Sequence, residues 1–131
     1  MPANPIVKGF LDAAFEDLDA ARRLLTTPPN RLAAYHLQQA AEKLAKALLS
    51  SRDIHTTREH RLVMMVQQLP ADDPWNPLLA ALAHLDRFAT AFRYPGTTGR
   101  LPAGAEEDEA RADLARLEEL LARARRELDR V

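Results

Sequence analysis

The sequence predicts an all-α fold, an antiparallel up-and-down bundle of four long helices and one short helix in a single domain over residues 1–131. Three observations predict it. Apolar residues recur at helical spacing in five stretches, proline, glycine and asparagine separate those stretches, and no alternating apolar and polar run of strand type occurs. At 131 residues, with 47% hydrophobic and 28% charged composition, the chain is long enough to bury a core of its own.

Helix one opens at Asn4-Pro5, where the asparagine can cap and the proline fits the first turn. Phe10 or Leu11, Ala14, Leu18, Ala21 and Leu25 then follow at helical spacing, and the helix ends near Leu25. Thr26-Thr27-Pro28-Pro29-Asn30 is a rigid turn, and Asn30 caps helix two, which runs to about Ser51. So short a turn implies an antiparallel hairpin.

In helix two, Leu37, Ala41, Leu44 and Leu48 form the core face, and Ala40, Ala41, Ala45 and Ala47 let a neighbour approach closely. Gln39, Glu42, Lys43 and Lys46 sit on or beside that seam, where polar groups cost free energy unless something meets them. The plainer reading of Glu42 and Lys46 is an exposed i, i+4 pair, worth about 0.2–0.5 kcal/mol.

After a polar stretch from Ser51 to Glu59, Thr57 or Arg58 opens a short helix three carrying Leu62, Val63, Val66 and Leu69, and Pro70 stops it. Ala71-Asp72-Asp73-Pro74 is a turn and cap. Helix four carries Leu78, Leu79, Leu82, Leu85, Ala89 and Phe92 and ends at Arg93-Tyr94-Pro95-Gly96. A loop from Thr97 to Gly104 leads to helix five, Glu106 to Arg130, with Leu114, Leu117, Leu121, Ala124 and Leu128 inward. Its acidic start (Glu106 to Glu109) and basic end (Arg123, Arg125, Arg126) complement the helix dipole.

Several function classes are disfavoured. Net charge is −1, 18 basic against 19 acidic residues, so no global field draws the chain to nucleic acid or an anionic membrane and any such contact is local. Without cysteine there is no disulfide, thiolate nucleophile or thiolate-held metal. No histidines stand at i, i+4 with a third ligand, so neither a metal nor another cofactor is expected. Apolar runs are too short for a bilayer and the N-terminus lacks a secretory pattern, so a cytoplasmic protein is expected. Motifs of nucleoside triphosphatases, dinucleotide enzymes, zinc proteases and serine hydrolases are missing.

If successive helices pack antiparallel, the end of helix two, the start of helix three, the end of helix four and the start of helix five share one pole. His60 and Arg93 would then meet there, with Arg58, Tyr94 and Lys46 nearby. An imidazole, guanidinium groups and a phenol suit a phosphate or a base. Each has an ordinary role beside the functional one: His60 as a helix-start residue bonding its own backbone, Arg93 as a cation on terminal carbonyls, Tyr94 as a ring packed on the bundle end. His36 fits a partly buried or interface position, and His55 and His84 fit solvent-facing ones.

Gln39-Ala40-Ala41-Glu42-Lys43 with Lys46, then His60 before Leu62, then Arg93-Tyr94-Pro95, resembles the HEPN domain of prokaryotic proteins over nearly the whole chain. The resemblance implies a small helical bundle that commonly forms a homodimer and is often encoded beside a minimal nucleotidyltransferase, as a toxin–antitoxin or substrate-binding pair. Many members of that family are metal-independent ribonucleases with an arginine followed four to six residues later by a histidine. Arg93 supplies the arginine, but Tyr94 to Arg100 contains no histidine, so the motif is incomplete. Cleavage through a ribose 2′-hydroxyl needs a group that exchanges protons near neutrality, which arginine does not, and His60 is the available substitute. The arginine-tyrosine-proline form resembles the substrate-binding branch more closely.

Three functions follow as expectations. The first is a nucleotide- or RNA-binding or regulatory partner of a minimal nucleotidyltransferase, with Lys43, Lys46, Arg58 and Arg93 on phosphate and Tyr94 offering a stacking face. The second is a ribonuclease toxin with Arg93 and His60 catalytic, and the third a structural dimeric interaction protein. Phe10, Phe15, Leu24, Leu32, Phe88 and Leu120 are apolar beyond the narrowest stripes, which suggests a dimer interface.

Overall fold

A computed structural model describes residues 4–55 and 58–128, and these are all-α, with no strand among them. The helices are α1 (Pro5–Leu24), α2 (Leu32–Ser51), α3 (Leu62–Gln68), α4 (Trp75–Ala80) and α5 (Glu107–Leu128). Two 3₁₀ segments, Ala83–Phe88 and Thr90–Arg93, continue from α4. Thr57, one expected start of the third helix, and Arg130, the expected end of the last, lie outside the described residues.

The expected caps are found where their chemistry places them. Asn4 Oδ1 accepts from the Ile6 N–H at 2.9 Å and Pro5 occupies the first helical position. Asn30 Oδ1 accepts from the Leu32 N–H at 2.8 Å, and Asp73 Oδ1 from the Trp75 N–H at 2.9 Å. α1 and α2 form the most extensive helix pair, as the short turn implies. Leu37, Ala41, Leu44 and Leu48 are fully buried between them and the rest of the bundle. Truncating a leucine such as Leu44 there would cost roughly 2–5 kcal/mol.

Helix three is shorter than expected, and helix four is segmented. Arg58 precedes α3 and does not open it, because the N–H groups of the start are taken elsewhere. Glu59 Oε1 accepts from His60 and Arg61, and the Asp86 carboxylate, from the 3₁₀ segment, accepts from Leu62 at 2.7 Å and Val63 at 3.0 Å. The buried residues Leu79, Leu82, Leu85 and Phe88 are spaced by three, a period that stays on one face only when the backbone tightens to three residues per turn.

The length of α3 also corrects the expected poles. Seven residues rise about 10 Å, against about 30 Å for the 20 of α2, so α3 does not cross the bundle. The chain returns to the end of α2, where the Arg52 guanidinium holds Asp73 at 2.7 and 3.1 Å. From there α4 and the 3₁₀ segments run the whole way back to the start of α2, and Arg31 Nη1 donates to the carbonyls of Phe92 at 3.3 Å and Pro102 at 3.2 Å. Gly104 lies against Arg31 so closely that a Cβ would stand 2.9 Å from its Cα, which is why a glycine leads into α5. The end of the fourth segment and the start of α5 therefore share the pole where α2 begins, opposite the one expected.

The apolar surplus read as an interface is partly core. Phe88 and Leu120 are buried, Phe88 edge-to-face on Phe92 at 5.2 Å, while Phe10, Phe15, Leu24 and Leu32 are half-buried. No described helix is long and apolar enough to cross a membrane.

Candidate functional site

One face of α2 carries Tyr35, Gln38, Glu42 and Lys46 at i, i+3, i+7 and i+11, and the candidate residues gather along it. It is half-buried at Tyr35 and buried from Gln38 through Glu42 to Lys46. Glu42 and Lys46 are buried, so they are not an exposed pair: their side chains are 7% and 10% accessible and their charges stand 3.1 Å apart. Gln38, fully buried, donates to Glu42 Oε1 at 3.2 Å, and Gln39 donates to Gln38 Oε1 at 2.7 Å. A buried carboxylate must be paired, and these residues supply the pairing.

His60 arrives from the stretch before α3, and its Nδ1 lies 3.1 Å from Glu42 Oε2. The side chain is 64% exposed, so the ring edge opposite Nδ1 faces outward. Arg93 lies elsewhere on the same face. Its guanidinium stands 5.0 Å over the Tyr35 ring, with Nη1 3.5 Å from the Tyr35 hydroxyl. Tyr35 and Glu42 are seven residues apart, about 10 Å along the axis. Arg93 and His60 thus share a helix face and not a pocket within one chain, and no hydrogen bond or ion pair joins them among the described residues. The reason is the return path of the fourth segment, which delivers Arg93 to the start of α2.

The remaining candidates separate. Lys43 turns to the other flank of α2 and pairs with Asp17 of α1, whose second oxygen lies 2.9 Å from His36 Nδ1. Its charge, like that of Lys46, is already met by a carboxylate. Tyr94 is exposed and does not pack on the bundle end, and Arg58 is exposed just ahead of His60. No ion pair engages Arg58 or Arg93 among the described residues, so these are the candidate cations left for an external anion. Among the described residues no three His, Asp or Glu side chains stand close enough to hold a metal.

Three residues of this region escaped the sequence reading. Tyr35 as the support of Arg93, Gln38 as a buried donor, and Asp17 as the counter-ion of Lys43 all depend on contacts between segments far apart in sequence. Asp17 carried one usable signal, an acidic residue beside Leu18 on the apolar side of helix one.

Elsewhere, the Arg52 guanidinium, then the Trp75 N–H, hold the Asp73 carboxyl below the ordinary carboxylate range, against the upward push of burial. Arg123, then the Trp75 indole N–H, do the same for Glu127. These groups close the pole where α2 ends, away from the candidate face.

A family model described as HEPN domain matches residues 7–128 of this chain. Two crystal structures are similar to it. TT1696 from Thermus thermophilus is 27% identical with a TM-score of 0.68, covering 88% of this chain and 93% of that one. ST0689, an archaeal HEPN homologue, is 25% identical with a TM-score of 0.65, covering 93% and 97%. No curated protein matches the sequence.

Proposed function

This chain belongs to the HEPN domain family, and on that premise we propose that it is a non-catalytic cytoplasmic module that binds the phosphate of a nucleotide or RNA in a homodimer partnered with a minimal nucleotidyltransferase. The observation that carries the reading is the setting of Arg93. Its guanidinium is held over the Tyr35 ring, meets no carboxylate among the described residues, and is followed by the exposed phenol of Tyr94. A guanidinium held by a ring keeps its donors for a phosphate, and an exposed aromatic beside it offers a base a stacking face. Arg58 supplies a second cation on the His60 side, while Lys43 and Lys46 serve as internal counter-ions.

The test is a calorimetric titration with mononucleotides and short RNA. Saturable binding that weakens on Arg93→Ala, and less on Arg58→Ala, is expected, and no heat at any ligand concentration would remove the proposal. Co-purification with a minimal nucleotidyltransferase tests the partner, and light scattering tests the dimer.

The ribonuclease alternative is weaker on geometry. It needs Arg93 and His60 at one phosphodiester, and each is held at a different level of α2. Equal absence of RNA cleavage by wild type and His60→Ala would dispose of it.

A further inference from the structure

Glu42 has both carboxylate oxygens committed. Oε1 accepts from Gln38 at 3.2 Å, and Oε2 receives Lys46 Nζ and His60 Nδ1, each at 3.1 Å. Gln39 fixes Gln38 in turn. Three side chains, Gln38, Lys46 and, through Gln38, Gln39, therefore hold one buried carboxylate against one exposed imidazole. A carboxylate only accepts, so Nδ1 of His60 is the donor, and in the uncharged ring the lone pair is left on Nε2. Nε2 has no partner among the described residues and lies on the ring edge away from the buried acid.

That arrangement has a chemical polarity. An outward lone pair repels a phosphate oxygen and accepts from a hydroxyl or an amine. It stands about two helical turns along α2 from the Tyr35 support of Arg93. A single phosphate does not bridge such a span, whereas a nucleotide's phosphate and a hydroxyl or base amine farther along it do.

We propose that Glu42 is a positioning residue that fixes His60 with Nε2 as an outward acceptor, so that this end of the α2 face takes a hydroxyl or amino donor of the phosphorylated ligand. The ligand part rests on the reading that Arg93 holds the phosphate; the orientation of the ring does not. The step is recognition only, and no covalent bond forms or breaks.

Two measurements test it. Long-range proton–nitrogen NMR, at a pH where the ring is uncharged, is expected to show His60 protonated on Nδ1 in the wild type and moving toward Nε2 protonation in Glu42→Gln. If that variant does not fold, Glu42→Gln combined with Lys46→Met leaves no lone buried ammonium and gives the same readout. The second measurement is titration with 5′-phosphorylated diadenylate, its deoxyribose form, and a ribose form whose bases lack the 6-amino group. Losing either the hydroxyl or the amine is expected to weaken wild-type binding about 3- to 10-fold. Glu42→Gln and His60→Ala are expected to bind all three alike. Nε2 protonation in the wild type overturns the positioning role, and indifference to both deletions overturns the acceptor site. If no ligand binds while Nδ1 carries the proton, the phosphate reading and the donor assignment fall together and only the orienting role of Glu42 stands.

Discussion

α2 meets the same three kinds of side chain twice, once on each flank, and the two sets differ in what holds the histidine. On the α1 side, Asp17 meets His36 and Lys43. All three sit on the two longest-paired helices, and His36 is further fixed edge-to-face on Tyr35 at 5.3 Å. On the α3 side, Glu42 meets Lys46 and His60. Here acid and amine are nearly sealed, while the imidazole comes from an irregular stretch and is mostly exposed. The first set joins two helices. The second is a rigid base under a solvent-facing ring, so the same three kinds of group serve packing in one place and presentation in the other.

The largest effect that separates them is on stability. Lys46→Met leaves the buried Glu42 carboxylate without its ammonium and is expected to cost roughly 3 kcal/mol in urea unfolding. Adding Glu42→Gln should restore much of that loss, since the penalty is an unpaired buried charge. Lys43→Met, at 28% side-chain exposure, is expected to cost about 1 kcal/mol or less. Equal costs for the two lysines would mean that the sets do the same job.

The sequence makes part of this contrast legible. The core stripe of α2, the caps at Asn4, Asn30 and Asp73, and the strain of placing Glu42 and Lys46 on a seam all follow from local spacing. Which groups relieve that strain does not, because His60 lies 18 residues from Glu42 and Asp17 lies 26 from Lys43. The stop at Pro70 was legible, yet its consequence was not. A seven-residue helix reverses the pole at which everything after it arrives, and that moved Arg93 from His60 to Tyr35. The spacing by three from Leu79 to Phe88 was present in the sequence and signalled 3₁₀ geometry, but the same leucines also fit an α-helical stripe.

A smaller effect tests the clamp that returns the chain to the end of α2. Asp73 has its pKa lowered by the Arg52 guanidinium, so its contribution is present above the unfolded-state pKa and is lost as pH falls through the lower folded value. Stability should therefore decline on the acid side of the ordinary carboxylate range, near pH 4 and below. Arg52→Ala should cost about 1 kcal/mol at neutral pH and flatten that decline. Unfolding free energies measured across the acid range check the sign: an unchanged slope would show that Asp73 is held by the Trp75 N–H alone.

The smallest change in stability should carry the largest change in recognition. His60→Ala removes an exposed ring and leaves Glu42 its bonds to Lys46 and Gln38, so unfolding should shift by about 0.5 kcal/mol or less. His36→Ala takes away a half-buried ring that touches both Asp17 and Tyr35, and should cost about 1 kcal/mol. Binding should rank the two oppositely. His36 lies in the seam between helices and its loss should leave nucleotide titration unchanged, whereas loss of His60 should remove the dependence on the hydroxyl or amine. The ranking distinguishes a presented ring from a packed one even if overall affinity is low, because it compares two histidines set against one helix under the same conditions. If His36→Ala weakened binding as much as His60→Ala, the division of α2 into a packing flank and a presenting flank would fail.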